Sequence, residues 1–177
     1  MKEVADCCFQ QFYGEMVRSL LERYPIESWS GVAADGDAEV AKSRKEELTI
    51  KLEALGYDVG YRFAERHRSA KDRPRMNEAL DVIKFVCKDF WISVFKKQID
   101  KLQTNHRGVF VLQDFSFRWL SSFSSTNDQH TKELGLLFLV FPCGIVRGAL
   151  ANLGVTAIVN ADITALPGCL FNIKIKG

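Results

Sequence analysis

Along the first quarter of the chain the apolar positions recur at steps of three and four. From Val4 to Tyr24, Phe9, Phe12, Met16 and Leu20 form a stripe that Tyr13, Val17 and Leu21 widen, the pattern of an amphipathic helix. Pro25 disfavours helical geometry in the residue before it, so the pattern ends this helix at Tyr24 and leaves residues 25–42 as a flexible loop. A second helix is predicted to open at Ser43, with Glu46 completing a capping box, although Asp37 offers a cap for an earlier turn. Leu48, Leu52, Leu55, Val59 and Phe63 line one of its faces. Gly56 and Gly60 each cost such a helix roughly 1 kcal/mol relative to alanine, and glycines four apart in this setting point to the close approach of another backbone.

The basic connector 66–75 leads to Pro74, which suits the first turn of a third helix carrying Leu80, Ile83, Cys87, Phe90 and Val94, with a break expected near Asp89. Beyond "TNHRG" the period changes to two, and residues 109–120 read as a hairpin turning near Asp114. Residues 121–132 are polar and read as a second flexible loop. In "FPCGIVRGALANLG", 141–154, Pro142 suits a first helical turn, Gly144 and Gly148 stand four apart beside Ala149 and Ala151, and Gly154 fits the position just past a helix end. That helix is expected to lie close against a sheet, with Cys143 as a small core residue and Arg147 at the surface or paired with an acid. Val155–Asp162 is β-branched-rich, Pro167 and Gly168 make a turn, and Cys169, Phe171, Ile173 and Ile175 alternate with Asn172, Lys174 and Lys176. The C-terminal half is therefore hairpin, helix, hairpin: an antiparallel sheet with one wetted face, in a layered α+β domain with the long N-terminal helices packed alongside.

Composition narrows the chemistry. A chain of 177 residues, 47% apolar with 13 Phe, supports one sizeable core, so residues 1–177 read as a single domain. A net charge of +2 gives no field that would call for nucleic acid as a partner. Five cysteines, odd in number and without CxxC spacing, read as reduced thiols of a cytosolic protein. Glu3 and Asp6 interrupt what a signal peptide would need as an apolar core, and no lipidation box follows Met1. Pro142, Arg147 and Asn152 interrupt the apolar stretch 134–159, which argues against a membrane span. His67, His106 and His130 fall in predicted loops without metal-ligand spacing, and no phosphate loop, dinucleotide fingerprint or nucleophile elbow is present. Cys143 lacks a histidine companion for nucleophilic work. No catalytic residue, metal or cofactor is assigned. Glu46, Glu47, Glu53, Glu65 and Glu78 interleave with basic residues as on a solvated face, and Lys96, Lys97, Lys101 and Arg107 read as an exposed basic run.

"FPCGIVRGALANLG" together with "IKFVCKDFWISVFKKQIDKLQTNHRGVFVLQD" resembles the subunit-6 branch of the TRAPP small-subunit family, and "LEALGYDVGYRFAERH" and "LPGCLFNIKIK" fit the same pattern. The resemblance implies a four-stranded antiparallel sheet with helices on one side, an α/β-plait. It implies a noncatalytic scaffold subunit of a tethering and Rab nucleotide-exchange complex in ER-to-Golgi and Golgi transport, cytoplasmic and peripheral on those membranes. Heterodimerisation with a subunit-3-type relative is implied through the first two long helices, hence through Phe9, Phe12, Met16, Leu20, Leu48, Leu52, Leu55, Val59 and Phe63. Contacts with other TRAPP subunits, an indirect link to a Rab GTPase and self-association in isolation belong to the same expectation. Pro142, Cys143, Gly144, Gly148 and Gly154 would be packing residues of the fold. Subunit-3 relatives carry an acylated cysteine just before the third helix, and Arg73 stands at the position aligned with it, so no acyl chain is expected here. The alternative to a scaffold is a small carrier of lipid or another hydrophobic ligand between sheet and helices.

Overall fold

The computed structural model describes residues 6–23, 37–68, 78–105, 107–121 and 129–176. Arg73, the connector 69–77 and the greater part of the two expected loops, residues 25–36 and 122–128, lie outside the described residues, as does His106. Two compact units are distinguished, Met1–Lys51 and Leu52–Gly177, and the division falls within a helix.

The first unit contains α1 (Asp6–Arg23) and the N-terminal part of α2 (Asp37–Arg68). Helix α2 begins well before Ser43. Residues 37–46 contain neither glycine nor proline and are mostly good helix formers, so nothing local obliges the helix to wait for the Ser43 cap. Its C-terminal end also runs through His67, which is therefore helical and not in a loop.

The second unit begins with the remainder of α2 and continues through α3 (Ala79–Phe85), a π-helical turn (Val86–Phe90) and α4 (Trp91–Phe95). The break expected near Asp89 is this π turn, which displaces the backbone register without ending the helical path. One carbonyl in it is used outside the helix: Cys87 O accepts from Ile99 N at 3.0 Å and ties the chain beyond α4 back to it. Helix α4 stops at Lys96, which adopts a left-handed conformation (φ 63°) at a cost of about 1 kcal/mol for a non-glycine residue.

The sheet has four antiparallel strands in the order β1 (Lys101–Thr104), β2 (Val109–Asp114), β4 (Gly168–Ile175), β3 (Ala157–Ala165). The first hairpin differs from expectation. Its strands are 101–104 and 109–114, paired Lys101 with Gln113 through Thr104 with Phe110, and its turn is built by Asn105, whose Oδ1 accepts from Arg107 N (2.9 Å) and Val109 N (3.1 Å). Beyond Asp114 the chain leaves the sheet. The alternating aromatics at 115–119 that suggested a return strand instead send Phe117 and Leu120 into the core around a 3₁₀ turn at Arg118–Leu120, with Phe115 left outside.

Helix α5 (Gln129–Asn152) starts earlier than Pro142, which lies in its interior, and it includes His130. A mid-helix proline forfeits one backbone hydrogen bond and is tolerated where packing dominates; residues 141–146 are all buried. The composition of 131–152 would suit a membrane span, but most of that segment is buried inside the protein. The helix ends as expected at Gly154 (φ 84°): Val155 N reaches Leu150 O at 2.9 Å and Gly154 N reaches Ala151 O at 3.1 Å, the paired bonds of a left-handed helix stop.

The inner face of the sheet carries Phe110, Leu112, Cys169, Phe171, Ile173 and Val159, all buried. Over it lies an aromatic cluster: Trp91 is centred 4.4 Å from Phe95 and 5.1 Å from Phe171, Phe95 lies 5.1 Å from Phe117 and 4.9 Å from Trp119, and Trp119 lies 6.2 Å from Phe141. Rings in offset or edge contact at these separations add to their burial. The opposite face is wetted, and Asn172 Nδ2 donates to Asp162 Oδ2 across it at 3.2 Å.

Candidate partner interface

The surface of α2 is set by how its other side is held. Leu52, Gly56, Gly60 and Ala64, spaced four apart, are all buried. A Cβ on Gly56 would fall on the carbonyl oxygen of Phe141 and 3.1 Å from Gly144 Cα, and one on Gly60 would fall on the carbonyl oxygen of Ile145. The relation is reciprocal. A Cβ on Gly144 would meet the Glu53 carbonyl oxygen and lie 3.0 Å from Gly56 Cα, and one on Gly148 would meet the Tyr57 carbonyl oxygen and lie 2.9 Å from Tyr61 N. The small face of α5 therefore receives helix α2, not the sheet as expected; two glycine pairs, each four apart, interlock the backbones. The sheet is met elsewhere on α5, where a Cβ on Gly135 would lie 2.6 Å from Ile163 Cδ1 of β3. The spacing that revealed a close approach holds no information about which element approaches.

Arg147 is placed by the same crossing. Its Nε lies 3.1 Å from Glu53 Oε1, without the alignment of a hydrogen bond, and its guanidinium sits 5.0 Å from the centroid of the Tyr57 ring. Both side chains of the ion pair are about a third exposed, so the pair holds the edge of the crossing and is worth at most about 1 kcal/mol. The acid that the sequence left unidentified is thus Glu53, far upstream on α2.

Of the α2 positions expected at a partner interface, Leu48 and Leu52 are fully buried within the chain, and Phe63 is half-buried with its ring edge-on to Phe90 at 6.4 Å. Leu55 (47% exposed) and Val59 (45%) remain accessible. On α1, Met16 and Leu20 are half-buried, whereas Phe9 and Phe12 are exposed, Phe12 at 67%. Among its described side chains, α1 buries Tyr13 and Val17. Large side chains left in water at these positions carry the cost of unburied apolar area, about 25 cal/mol per Å².

Pattern reasoning missed a second cluster. Asp114, expected in a turn, ends β2 with its side chain wholly buried. Its Oδ1 accepts from Lys97 Nζ (2.7 Å) and Ser116 N (3.0 Å), and its Oδ2 accepts from Trp91 Nε1 (3.3 Å). Lys97 also donates to Asp100 (2.8 Å), whose Oδ2 accepts from Phe115 N (2.7 Å). Lys97 therefore belongs to an ion-pair network and not to an exposed basic run. No local signal could have joined residues 91, 97, 100 and 114; an isolated acid ending an alternating run was the one available hint.

The cysteines follow their burial. Burial pushes the Cys87 thiol up to about 12, and it raises Cys143 and Cys169 as well, helped at Cys143 by the negative charges of Glu53 and Asp162. None of these three is poised as a thiolate. Cys8 is exposed. A maleimide reagent applied to the folded protein should label Cys8 and leave Cys87, Cys143 and Cys169 unlabelled until denaturant is added, as read by peptide mass mapping; rapid labelling of Cys143 would show that the α5 core is not closed.

Among the described residues no cluster of His, Cys, Asp or Glu could hold a metal ion. What the fold offers instead is an α+β framework presenting apolar helix surface. A family model for the transport protein particle (TRAPP) component matches residues 9–176. Trafficking protein particle complex subunit 6b of Danio rerio is 48% identical over 141 residues, spanning 78% of this chain and 86% of the relative. Subunit 6B of Homo sapiens is 45% identical over 128 residues, covering 71% and 77%, and human subunit 6A is 45% identical over 124 residues, covering 70% and 76%. The crystal structure of a trafficking protein particle complex subunit 3 from Naegleria fowleri, covalently bound to palmitic acid, superposes with a TM-score of 0.66 over 96% of this chain and 94% of that one, at 16% identity, a likeness of fold. The chain belongs to the TRAPP component family, in its subunit-6 branch.

Proposed function

We propose that the protein is a noncatalytic structural subunit of the TRAPP tethering and Rab nucleotide-exchange complex, acting in ER-to-Golgi and Golgi vesicle transport from the cytoplasmic side of those membranes. The observation that carries this reading is the 43–48% identity to subunits 6b and 6B over 71–78% of the chain. Its partner is a subunit-3-type relative, bound through α1 and α2, and the exposed Phe9, Phe12, Leu55 and Val59 support that assignment. The aromatic cluster over the sheet supports a scaffold over a carrier, because side chains of the chain itself pack there.

Co-expression with a subunit-3-type relative should yield a stable one-to-one complex by size-exclusion chromatography with light scattering. Leu55→Asp with Val59→Asp should weaken it about a hundredfold, since two charges would be buried in an apolar contact. A chain that stays monomeric and ignores such a partner overturns the reading.

A further inference from the structure

The accessible stripe of α2 does not end at Val59. Steps of four, three and four carry it from Leu55 and Val59 to Arg62 and Arg66, and all four side chains are exposed. Arg18, Lys51 and Arg147 each have a carboxylate of their own, on Glu15 and Glu22, Glu47, and Glu53. Arg62 and Arg66 form no ion pair among the described residues, and Asp58, one turn before Arg62, does not reach it. Both lie in the last two turns of α2, where positive charge suits the helix dipole, and neither is engaged by a carboxylate among the described residues.

We propose that the occupant of this stripe is a polypeptide surface bearing an apolar patch followed by a pair of carboxylates, with Arg62 and Arg66 selecting that partner and fixing its register on α2. The inference rests on the reading of α2 as the partner interface and adds the chemistry of what it meets. Arginine suits the role because its planar fork grips a carboxylate at two points. The neighbouring Leu55 and Val59, covered by the partner's apolar patch, would exclude water from the ion pairs and strengthen them. Phosphate groups would also attract two arginines, and a basic helix can lay a leucine and a valine into a lipid surface; the protein occupant follows from the reading of α2 as the partner interface, and a lipid surface is an outcome of the test.

Binding of a subunit-3-type relative to the full-length chain tests this at low and high salt. Arg62→Glu with Arg66→Glu should raise Kd about tenfold or more at low salt and flatten the salt dependence of the association rate; the Arg62→Lys, Arg66→Lys pair should keep the salt dependence and lose part of the affinity. Both positions are exposed, so unchanged thermal unfolding of each variant excludes misfolding as the cause. If the Leu55→Asp, Val59→Asp variant loses binding while the arginine reversal changes neither affinity nor salt dependence, the inference fails and the interface reading stands. If the unaltered chain does not bind at all, both fail. Binding to phosphatidylserine vesicles that the reversal abolishes, with partner binding untouched, would make a lipid surface the occupant and overturn the proposal.

Discussion

Replacing Gly60 or Gly148 by alanine is expected to destabilise the protein by about 2 kcal/mol, although alanine is the better helix former. Two effects oppose each other. Removing a helical glycine favours the folded state by about 1 kcal/mol through propensity. Against this, the added methyl group would occupy the position of a backbone carbonyl oxygen, that of Ile145 for Gly60 and of Tyr57 for Gly148. A flexible side chain could yield; a carbonyl held in a buried helix yields only by moving the whole of α2 or α5, which puts the cost at the upper end of the overpacking range, about 3 kcal/mol. For a chain of this size the net loss corresponds to a drop in Tm of about 4–8 °C. Gly14 provides the contrast. A Cβ there meets nothing within 4 Å, so Gly14→Ala should raise stability by about 1 kcal/mol. Thermal or urea unfolding followed by circular dichroism separates the two classes, and a neutral or stabilising Gly60→Ala would mean that the helices are not interlocked. On the proposed reading of Leu55 and Val59 as interface residues, a shift of α2 should also weaken partner binding beyond its effect on the fraction folded.

How far the sequence discloses this architecture depends on whether the determining contact is local. The β4 strand was legible because Cys169, Phe171 and Ile173 alternate with Asn172 and Lys174 between one buried and one wetted face, and the structure pairs it in that register. Strand β1 was not, because "KLQT" is a short edge strand with a single apolar residue, and edges need little hydrophobic signal to pair. The beginning of α5 was obscured because its first residues, "QHTK", continue a polar run that reads as loop, while the apolar stretch from Leu134 to Phe141 has no polar face to mark its period, so Pro142 looked like a start. The candidate interface was half legible. Periodicity located the stripes of α1 and α2, but Leu52 and Leu55, three residues apart in one stripe, end up buried and exposed respectively. That difference is decided by where α5 crosses, a fact of tertiary structure. Cys143 and Gly154 behaved as their local chemistry suggested, whereas the counter-ion of Arg147 and the partners of Asp114 had to be found in space.

Asp114 carries the second large expectation. Substitution by alanine should cost about 4 kcal/mol, because it strands the Lys97 ammonium and the N–H groups of Trp91 and Ser116 around a buried site. Asparagine keeps one acceptor, able to serve Lys97 and Ser116 N, but turns the other oxygen into an NH2 donor facing Trp91 Nε1, so it removes the charge and the longest of the three hydrogen bonds. Breaking a buried pair usually costs about 3–5 kcal/mol, but the Lys97 side chain is 24% exposed and retains Asp100, so Asp114→Asn should cost about 2 kcal/mol. Asp100→Asn, at a wetter site, should cost less than either. The order, not only the sizes, tests the arrangement, and an Asp114→Asn protein that unfolds like the unaltered chain would show the network to be ornamental. The pH dependence has a definite sign at each end. Burial pushes the Asp100 carboxyl up, but hydrogen bonds from Lys97 and Phe115 N–H outweigh it and hold the group below its ordinary value of 3.8. Its contribution is therefore complete above the ordinary carboxylate range and is lost as pH falls through the lowered value. For Lys97, burial alone would favour the neutral amine; the hydrogen bonds to Asp100 and Asp114, with their charges, raise it above 10.5. That contribution is present below the ordinary lysine value and disappears as pH rises through the raised one. Stability from this network should thus be level between about pH 5 and pH 9 and fall outside it. Asp114→Asn should flatten the alkaline limb, since it removes one of the two carboxylates that hold the Lys97 proton in place.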